Sequence, residues 1–396
     1  MPFNAKPATK PLSSLFSTGP TRKRPGWSPA VLNDAVVGRS HRAVAPKARI
    51  QACISKIHSI LELPGDYIVG IVPGSDTGAV EMAMWSLLGA RGVDVLGWEA
   101  FGQLWVSDAV NQLPLENVTT HIANYGHLPD LSAVNFDNDV VFTWNGTAAG
   151  VRVPNGDWIP DERAGLTIAD STSACFAMEI PWKKLDVATF SFQKSLGGEG
   201  GHGVIILSPR AVERVNDYSP SWPMPKVLSL AKKGKLDTAL FLGTTINTPS
   251  MLVIEDALDA LLWAESLGGL QGLIARVNAS FMAMDGWIAN SPNYAYLAVD
   301  PTTVSQTSVC LQFVDEWFTR LLAEQQKAVV NDVEALLASE EVAIDISAYR
   351  DAPTGLRIWC GPTVDPDDVA ALLPWLDWAY VETRTKYRAY AAWPFL

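Results

Sequence analysis

Lys194 is the residue in this chain best placed to do chemistry. Residues 186–193 alternate apolar and polar side chains as a half-buried strand does, and residues 204–207 form a second apolar run. The lysine follows the first run directly, among Gly197, Gly198, Gly200, Gly201 and Gly203, which let the backbone turn tightly and admit a bulky group. A rigid strand behind the lysine and partial desolvation around it lower the proton affinity of the amine, and a neutral amine attacks carbonyl carbons to form a Schiff base. Taken alone, the window also suits a surface hairpin with a solvated lysine. Gly198, Gly200 and Gly203 satisfy the G-x-G-x-x-G pattern of dinucleotide folds. That pattern needs a helix next, whose N-terminus holds the pyrophosphate, and here an apolar strand follows instead.

Other candidates stand where strand-like runs end. Thr147 lies just beyond residues 139–144, and Asp170 follows residues 165–169. Asp170 either caps a turn or supplies, behind a buried strand, the carboxylate that a pyridinium nitrogen needs. Gly74-Ser75-Asp76-Thr77-Gly78-Ala79 joins a strand-like stretch, 67–72, to a helical one, 77–88. The unpaired N–H groups of a helix start carry partial positive charge, so this join suits a phosphate, helped by the Ser75 and Thr77 hydroxyls. Ordinary capping by Ser75 or Asp76 accounts for the same residues. His41 and Arg42 precede a helix that carries Ile50, Cys53, Ile54, Ile57 and Leu61 near one face.

The elements that must position these groups alternate. Strands at 67–72, 93–98, 118–123, 139–144 and 165–169 are interleaved with helices at 77–88 and 101–113, and a short helix is expected at 31–37. This order predicts an α/β fold with a mostly parallel, doubly wound sheet in a large cofactor domain, its sites at the strand ends. Helices follow at 209–215, 249–266 and 270–289. The style then changes: strands at 295–299, 305–314, 342–346 and 356–359 surround a helix at 316–338, and a last helix follows Asp365-Pro366. This tail reads as a smaller C-terminal α+β domain. The expected division is an arm over 1–15, a large domain over 16–265 and a small one over 266–396.

Composition narrows the function classes. A chain of 396 residues with 48% hydrophobic and 18% charged residues builds compact cores, and no apolar stretch reaches the length of a membrane span. A net charge of −12 disfavours nucleic acid and anionic membranes as partners. The four cysteines lie far apart and the five histidines form no H-E-x-x-H, so neither disulfides nor a metal site is expected. The polar N-terminus lacks the apolar core of a secretory signal, which predicts cytoplasmic residence.

Together, Lys194, Asp170, the phosphate-cradle loop and the C-terminal α+β domain resemble a fold-type I pyridoxal-phosphate enzyme. More narrowly, the chain is similar, from about Phe16 onward, to the phosphoserine aminotransferases of the class V aminotransferase group. The resemblance is carried by FSTGP, Ser40-His41-Arg42, GSDTGA, Asp170-Ser171-Thr172-Ser173, SFQKSLGGEGG and Asn247-Thr248-Pro249-Ser250, in that order and spacing. It implies pyridoxal 5'-phosphate as cofactor and a homodimer with shared active sites. It implies amino transfer between glutamate and 3-phosphohydroxypyruvate, giving O-phosphoserine and 2-oxoglutarate in serine biosynthesis, with a related substrate in the pyridoxine pathway. A serine–pyruvate or alanine–glyoxylate aminotransferase of the same group would share Lys194 and Asp170 without needing to bind a substrate phosphate.

Residue by residue, the resemblance implies that Lys194 carries the cofactor covalently and Asp170 pairs with its ring nitrogen. Asp76, Thr77 and Gln193 would lie at the cofactor phosphate and Thr147 near the cofactor oxygen. Asn247 and Thr248 would reach the phosphate of the neighbouring subunit's cofactor, and His41, Arg42 and Arg357 would hold substrate anions. Three positions depart from the family pattern. The ring-stacking aromatic, usually tryptophan, falls at Phe101, with Trp98 and Trp105 close by. Asp76 brings a negative charge near a phosphate and must act mainly through its backbone N–H. Tyr349-Arg350 stands where the family has His-Arg, one residue further from Arg357, so a phosphate-binding role is not carried over to Arg350.

Overall fold

The computed structural model describes residues 5–391; residues 1–4 of the expected arm and 392–396 of the expected last domain lie outside them. Helix α1 (Val44–Ile60) buries Ile50, Cys53, Ile57 and Ile60 on one side, as its apolar spacing predicts. Then follow β1 (Ile68–Pro73), α2 (Ser75–Leu87), β2 (Val93–Gly97), α3 (Ala100–Ser107), β3 (Val118–Ile122), β4 (Asp139–Thr143), β5 (Thr167–Asp170), β6 (Val187–Ser191) and β7 (His202–Leu207). These strands make one sheet in the order β1-β7-β6-β5-β4-β2-β3. It is a doubly wound, mostly parallel sheet in which only β7 is reversed, antiparallel to both neighbours. The reversal has a chain-length cause: the lysine loop between β6 and β7 is too short for the crossover that a parallel neighbour requires.

Apolar packing on both faces explains why β2, β4, β5, β6 and β7 are buried throughout. Alternation sorts their side chains between two layers. Phe142, Phe190 and Ile206 pack on the side covered by α1 and α5 (Met251–Ser266). Val141, Ile205 and Leu207 pack on the side of α2 and α4 (Pro209–Asp217). Edge strand β3 is half-exposed.

Helix α6 (Leu270–Ile288) joins this body to a second core, burying Leu273 and Val277 in the first and Met284 in the second. The second core lies on an antiparallel sheet of β8 (Tyr294–Tyr296), β9 (Ser308–Phe313) and β10 (Gly355–Trp359). It also takes in α7 (Glu316–Thr319), α8 (Ala323–Ser339) and α9 (Pro366–Ala391). The N-terminal segment docks there: Lys6 Nζ lies 2.6 Å from Glu340 Oε1, Trp375 Nε1 donates to the Thr9 carbonyl at 2.7 Å, and Phe16 is fully buried.

Four expected elements differ. The helix expected at 31–37 is a 3-10 turn, Pro29–Leu32. The one at 101–113 is α-helical only to Ser107 and continues as a π-helical turn, Asp108–Gln112. The one at 316–338 is broken, because Asp315 caps α7 and the Gln325 side chain bonds back to the Leu322 N–H to start α8 anew. Residues 342–346 form no strand: Ile344 makes one isolated bridge, to Leu15, and the next bridge, to Leu356, comes from Ser347, since Glu341 and Asp345 take left-handed φ values of 57° and 56° that break the pleat. The apolar run there reported burial, as Val342, Ala343 and Ile346 are all interior. Among the described residues no helix is long and apolar enough to cross a membrane.

Candidate active site

Parallel strands open at the same end, and the register sets what meets there. Thr143 of β4 is paired with Asp170 of β5, and Asp170 with Thr189 of β6. Thr143, Asp170 and Ser191, each the last residue of its strand, line a cavity of about 310 Å³. Of the residues expected in the site, Asp76, Thr77, Phe101, Thr147, Asp170, Gln193 and Lys194 all line this cavity.

Lys194 is only 9% exposed, so the solvated hairpin is not what the fold builds. Its Nζ donates to the Thr18 carbonyl at 2.5 Å. The Thr21 hydroxyl donates to the Lys194 carbonyl at 2.6 Å, which straps the N-terminal segment across the lysine loop. Burial first, then the Arg357 guanidinium, push the lysine pKa down to about 8, against the opposing pull of Asp170, Glu99 and Asp76. Two of the loop's glycines serve backbone packing. Gly201, at φ +102°, accepts the N–H groups of Gly74 and Ser75 at 3.1 and 3.3 Å. A Cβ at Gly203 would collide with the Ser75 carbonyl. The lysine loop thus braces the turn that starts α2.

That turn leaves a helix start without a side-chain cap. The capping position is Gly74, at φ 85°, so neither Ser75 nor Asp76 caps α2. The Asp76 carboxyl faces Asp170, Thr189 and Thr172; burial and the Asp170 carboxylate raise its pKa well above the ordinary range. Burial and the neighbouring Asp170 thus disfavour a negative charge on Asp76 beside a phosphate. Asp170 is firmly held: Oδ1 accepts the Thr172 N–H at 3.1 Å and Oδ2 accepts Trp105 Nε1 at 3.2 Å. Trp105 is thereby committed to Asp170. Trp98 donates to the Val151 carbonyl at 3.1 Å. Phe101 faces the cavity and packs on Tyr349 with ring centroids 5.3 Å apart.

The cavity wall is rich in polar atoms with no protein partner: Asp76 Oδ1, Thr143 Oγ1, Thr172 Oγ1, Ser191 Oγ and Gln193 Oε1 are buried and unbonded. Unmet polar groups around an enclosed space are what a polar ligand satisfies. The donor set suits pyridoxal 5'-phosphate, with an amine for its aldehyde, a fixed carboxylate for its ring nitrogen, an aromatic face for its ring, and an uncapped helix start with Thr77 for its phosphate.

The remaining expected residues stand apart from the cavity. Arg357, on β10, is half-buried beside it, with its guanidinium 5.4 Å from the Tyr349 ring and Nε unbonded. His41 is buried with Nε2 unpartnered, whereas Arg42 is exposed at the entry to α1. Asn247 and Thr248 are exposed on the loop before α5, and that helix is capped by Ser250, so Thr248 is free of the capping role. Sequence reasoning passed over Glu99, Thr143 and Ser191 and gave Trp105 no partner. A polar residue closing an apolar strand marked the two hydroxyls, but nothing local marked a tryptophan as the partner of an acid on another element.

No family model matches the chain. It is 52% identical over 375 residues to a phosphoserine aminotransferase of Methanosarcina mazei, covering 95% of this chain and 99% of that one. A phosphoserine aminotransferase of Methanosarcina barkeri matches equally, at 52% over 375 residues. Among solved structures, a phosphoserine aminotransferase from Cytophaga hutchinsonii superposes with a TM-score of 0.77 at 18% identity, covering 92% of this chain and 99% of that chain. A ureidoglycine–glyoxylate aminotransferase from Bacillus subtilis reaches 0.74 at 16% identity, covering 96% and 95%. These distant structures share the fold.

Proposed function

The chain belongs to the phosphoserine aminotransferase family, and from that premise we propose how its own residues divide the work of a pyridoxal-phosphate-dependent transaminase. The reaction moves an amino group between glutamate and 3-phosphohydroxypyruvate, giving O-phosphoserine and 2-oxoglutarate. The observation that carries the assignment of roles is a buried lysine of lowered pKa and a fixed aspartate lining one cavity whose other polar atoms lack partners.

Pyridoxal 5'-phosphate, when bound, supplies an electron sink for the bond broken at the substrate α-carbon. Lys194 would hold the cofactor, and its Nζ would take the α-proton and return it; with a pKa of about 8 the amine exchanges protons readily near neutral pH. Asp170 would face the ring nitrogen, oriented by Trp105 Nε1 and the Thr172 N–H. Phe101 would cover the ring face, Thr147 would serve the cofactor oxygen, and the start of α2, with Thr77 and Gln193, would take the phosphate through backbone N–H groups. The raised pKa of Asp76, caused by burial and by Asp170, lessens its repulsion of a phosphate there. Arg357 and His41, with Arg42, receive the carboxylate and phosphate of the substrates, since forked guanidinium donors match both groups.

The exposure of Asn247 and Thr248 supports a two-fold homodimer in which this loop completes the partner's site. We further infer a cytoplasmic enzyme, in keeping with four unpaired buried cysteines, that also serves the pyridoxine pathway. We put the domain boundary at 265/266, at the last residue of α5, with residues 1–15 as an arm. The deciding assay runs the purified protein with 2-oxoglutarate and either O-phosphoserine or plain serine. Preference for the phosphorylated donor is expected. Equal or better use of serine or alanine would instead favour a serine–pyruvate or alanine–glyoxylate activity.

A further inference from the structure

Glu99 is 1% exposed, lies next to the cavity, and has no role in the chemistry described above. It follows β2 in extended conformation and stands at the capping position of α3, where Oε1 accepts the Gly102 N–H at 2.8 Å. Oε2 reaches away from that helix and accepts the Ala148 N–H at 3.1 Å. One carboxylate thus ties two segments, and each carries a cavity residue: Phe101 lies inside the turn closed at Gly102, and Thr147 immediately precedes Ala148.

Helix capping alone does not account for this residue. Serine or aspartate caps a helix as well, without burying a long carboxylate. Burial raises the Glu99 pKa to about 7 even though it accepts two backbone N–H groups, so the fold carries a cost here that a short cap would avoid. The stem is also enclosed. A Cβ at Gly146 would strike Glu99 Cγ and Trp98 Nε1, so the strand end that leads to Thr147 is built around the glutamate. Only a side chain of this length spans the gap from the start of α3 to the loop after β4.

We propose that Glu99 is a positioning residue that sets Phe101 and Thr147 relative to each other across the cofactor cavity. The inference rests on the assignment of that cavity to pyridoxal 5'-phosphate. Glu99→Ser and Glu99→Asp keep a cap for Gly102 and lose the reach to Ala148, so they separate bridge from cap. Apoprotein of the wild type and both variants is titrated with pyridoxal 5'-phosphate, following tryptophan fluorescence for affinity and visible circular dichroism for the asymmetry of the bound chromophore. Thermal unfolding is measured in parallel.

The expected result is affinity lowered roughly tenfold and a weakened visible dichroism, because Phe101 and Thr147 lose their fixed relation, together with a lower unfolding temperature from the unpaired Ala148 N–H. A capping role predicts no change in affinity or dichroism for either variant, and that outcome overturns the bridge. If the serine variant does not fold, the aspartate variant decides, since it retains both cap and charge. Wild-type apoprotein that fails to bind the cofactor at all would remove the premise and the bridge with it, whereas binding by the wild type with unaffected variants removes only the bridge.

Discussion

The strand-end cavity and the aromatic core beneath β8, β9 and β10 are both interior, yet they handle polarity in opposite ways. In the aromatic core, Tyr294, Phe313 and Tyr380 meet at centroid distances of 4.8 to 5.9 Å. Several polar tips there find partners in the fold itself: the Tyr294 hydroxyl donates to the Leu376 carbonyl at 3.0 Å, Trp375 Nε1 to the Thr9 carbonyl and Trp287 Nε1 to Asp377 Oδ2. Trp359 Nε1 and the Tyr380 hydroxyl lack partners, but they are neutral and lie among rings. The cavity concentrates buried acids and a buried lysine beside five unbonded polar atoms. The contrast teaches that scattered neutral polar tips are tolerated in a core, whereas unmet polar groups gathered with buried charges around one enclosed space mark a place for a ligand.

Replacing the lysine breaks the cavity side of this comparison most severely. Lys194→Met should abolish turnover and the yellow, borohydride-reducible chromophore while leaving the fold intact. It should also stabilise the apoprotein. A folded-state pKa lowered from 10.5 to about 8 means that the buried ammonium opposes folding fully below pH 8, by about 3 kcal/mol, and that this penalty fades as pH rises toward 10.5. Denaturant unfolding of both apoproteins at pH 7 and pH 10 checks the sign; a gain that grows with pH would contradict the assignment.

The aromatic core should respond in the reverse sense. Phe313→Ala is expected to cost about 3–5 kcal/mol of stability, the range for a deleted core aromatic, with cofactor affinity of the folded fraction unchanged. Urea titration against fluorescence binding distinguishes the two, and a loss of affinity at unchanged stability would erase the contrast between the regions.

Asp170→Asn sharpens the comparison by removing charge without volume. It should cost about 2–4 kcal/mol of transition-state stabilisation and a smaller amount of stability, since the amide oxygen can accept from only one of the Thr172 N–H and Trp105 Nε1 and its NH2 group faces the other donor. Steady-state kinetics showing an unchanged rate with an unchanged chromophore spectrum would remove Asp170 from its role.

The smallest expected signal tests whether the cavity is complete within one chain. Mixing inactive Lys194→Ala protein with a variant damaged at Asn247 and Thr248 should restore part of the activity, because one hybrid site then carries both lesions and its twin neither. Activity that stays at zero after subunit exchange is demonstrated by mass would show that each chain builds its own site.

Much of this was readable in the chain itself. Strand-like runs separated by helical ones are local patterns, so the order β1 to β6 and the parallel sheet follow from periodicity, and a lysine placed just after a strand must open at a strand end. The glycines around Lys194 likewise announced close approach. The C-terminal part was less readable because apolar content was mistaken for strand at 342–346, where left-handed residues interrupt the pleat.

Tertiary structure decided everything that joins residues distant in sequence. Trp105 meets Asp170 across 65 residues and Glu99 meets Ala148 across 49, contacts that depend on how parallel strands align and not on any nearby pattern. It also decided charge. Asp76 and Lys194 carry ordinary side chains whose proton affinities are set by burial and by each other's neighbourhood, and burial is a property of the folded sheet. Composition and spacing specified which groups the site would contain; the register of β4, β5 and β6 specified their distances, because a one-residue slip would turn Asp170 to the opposite face.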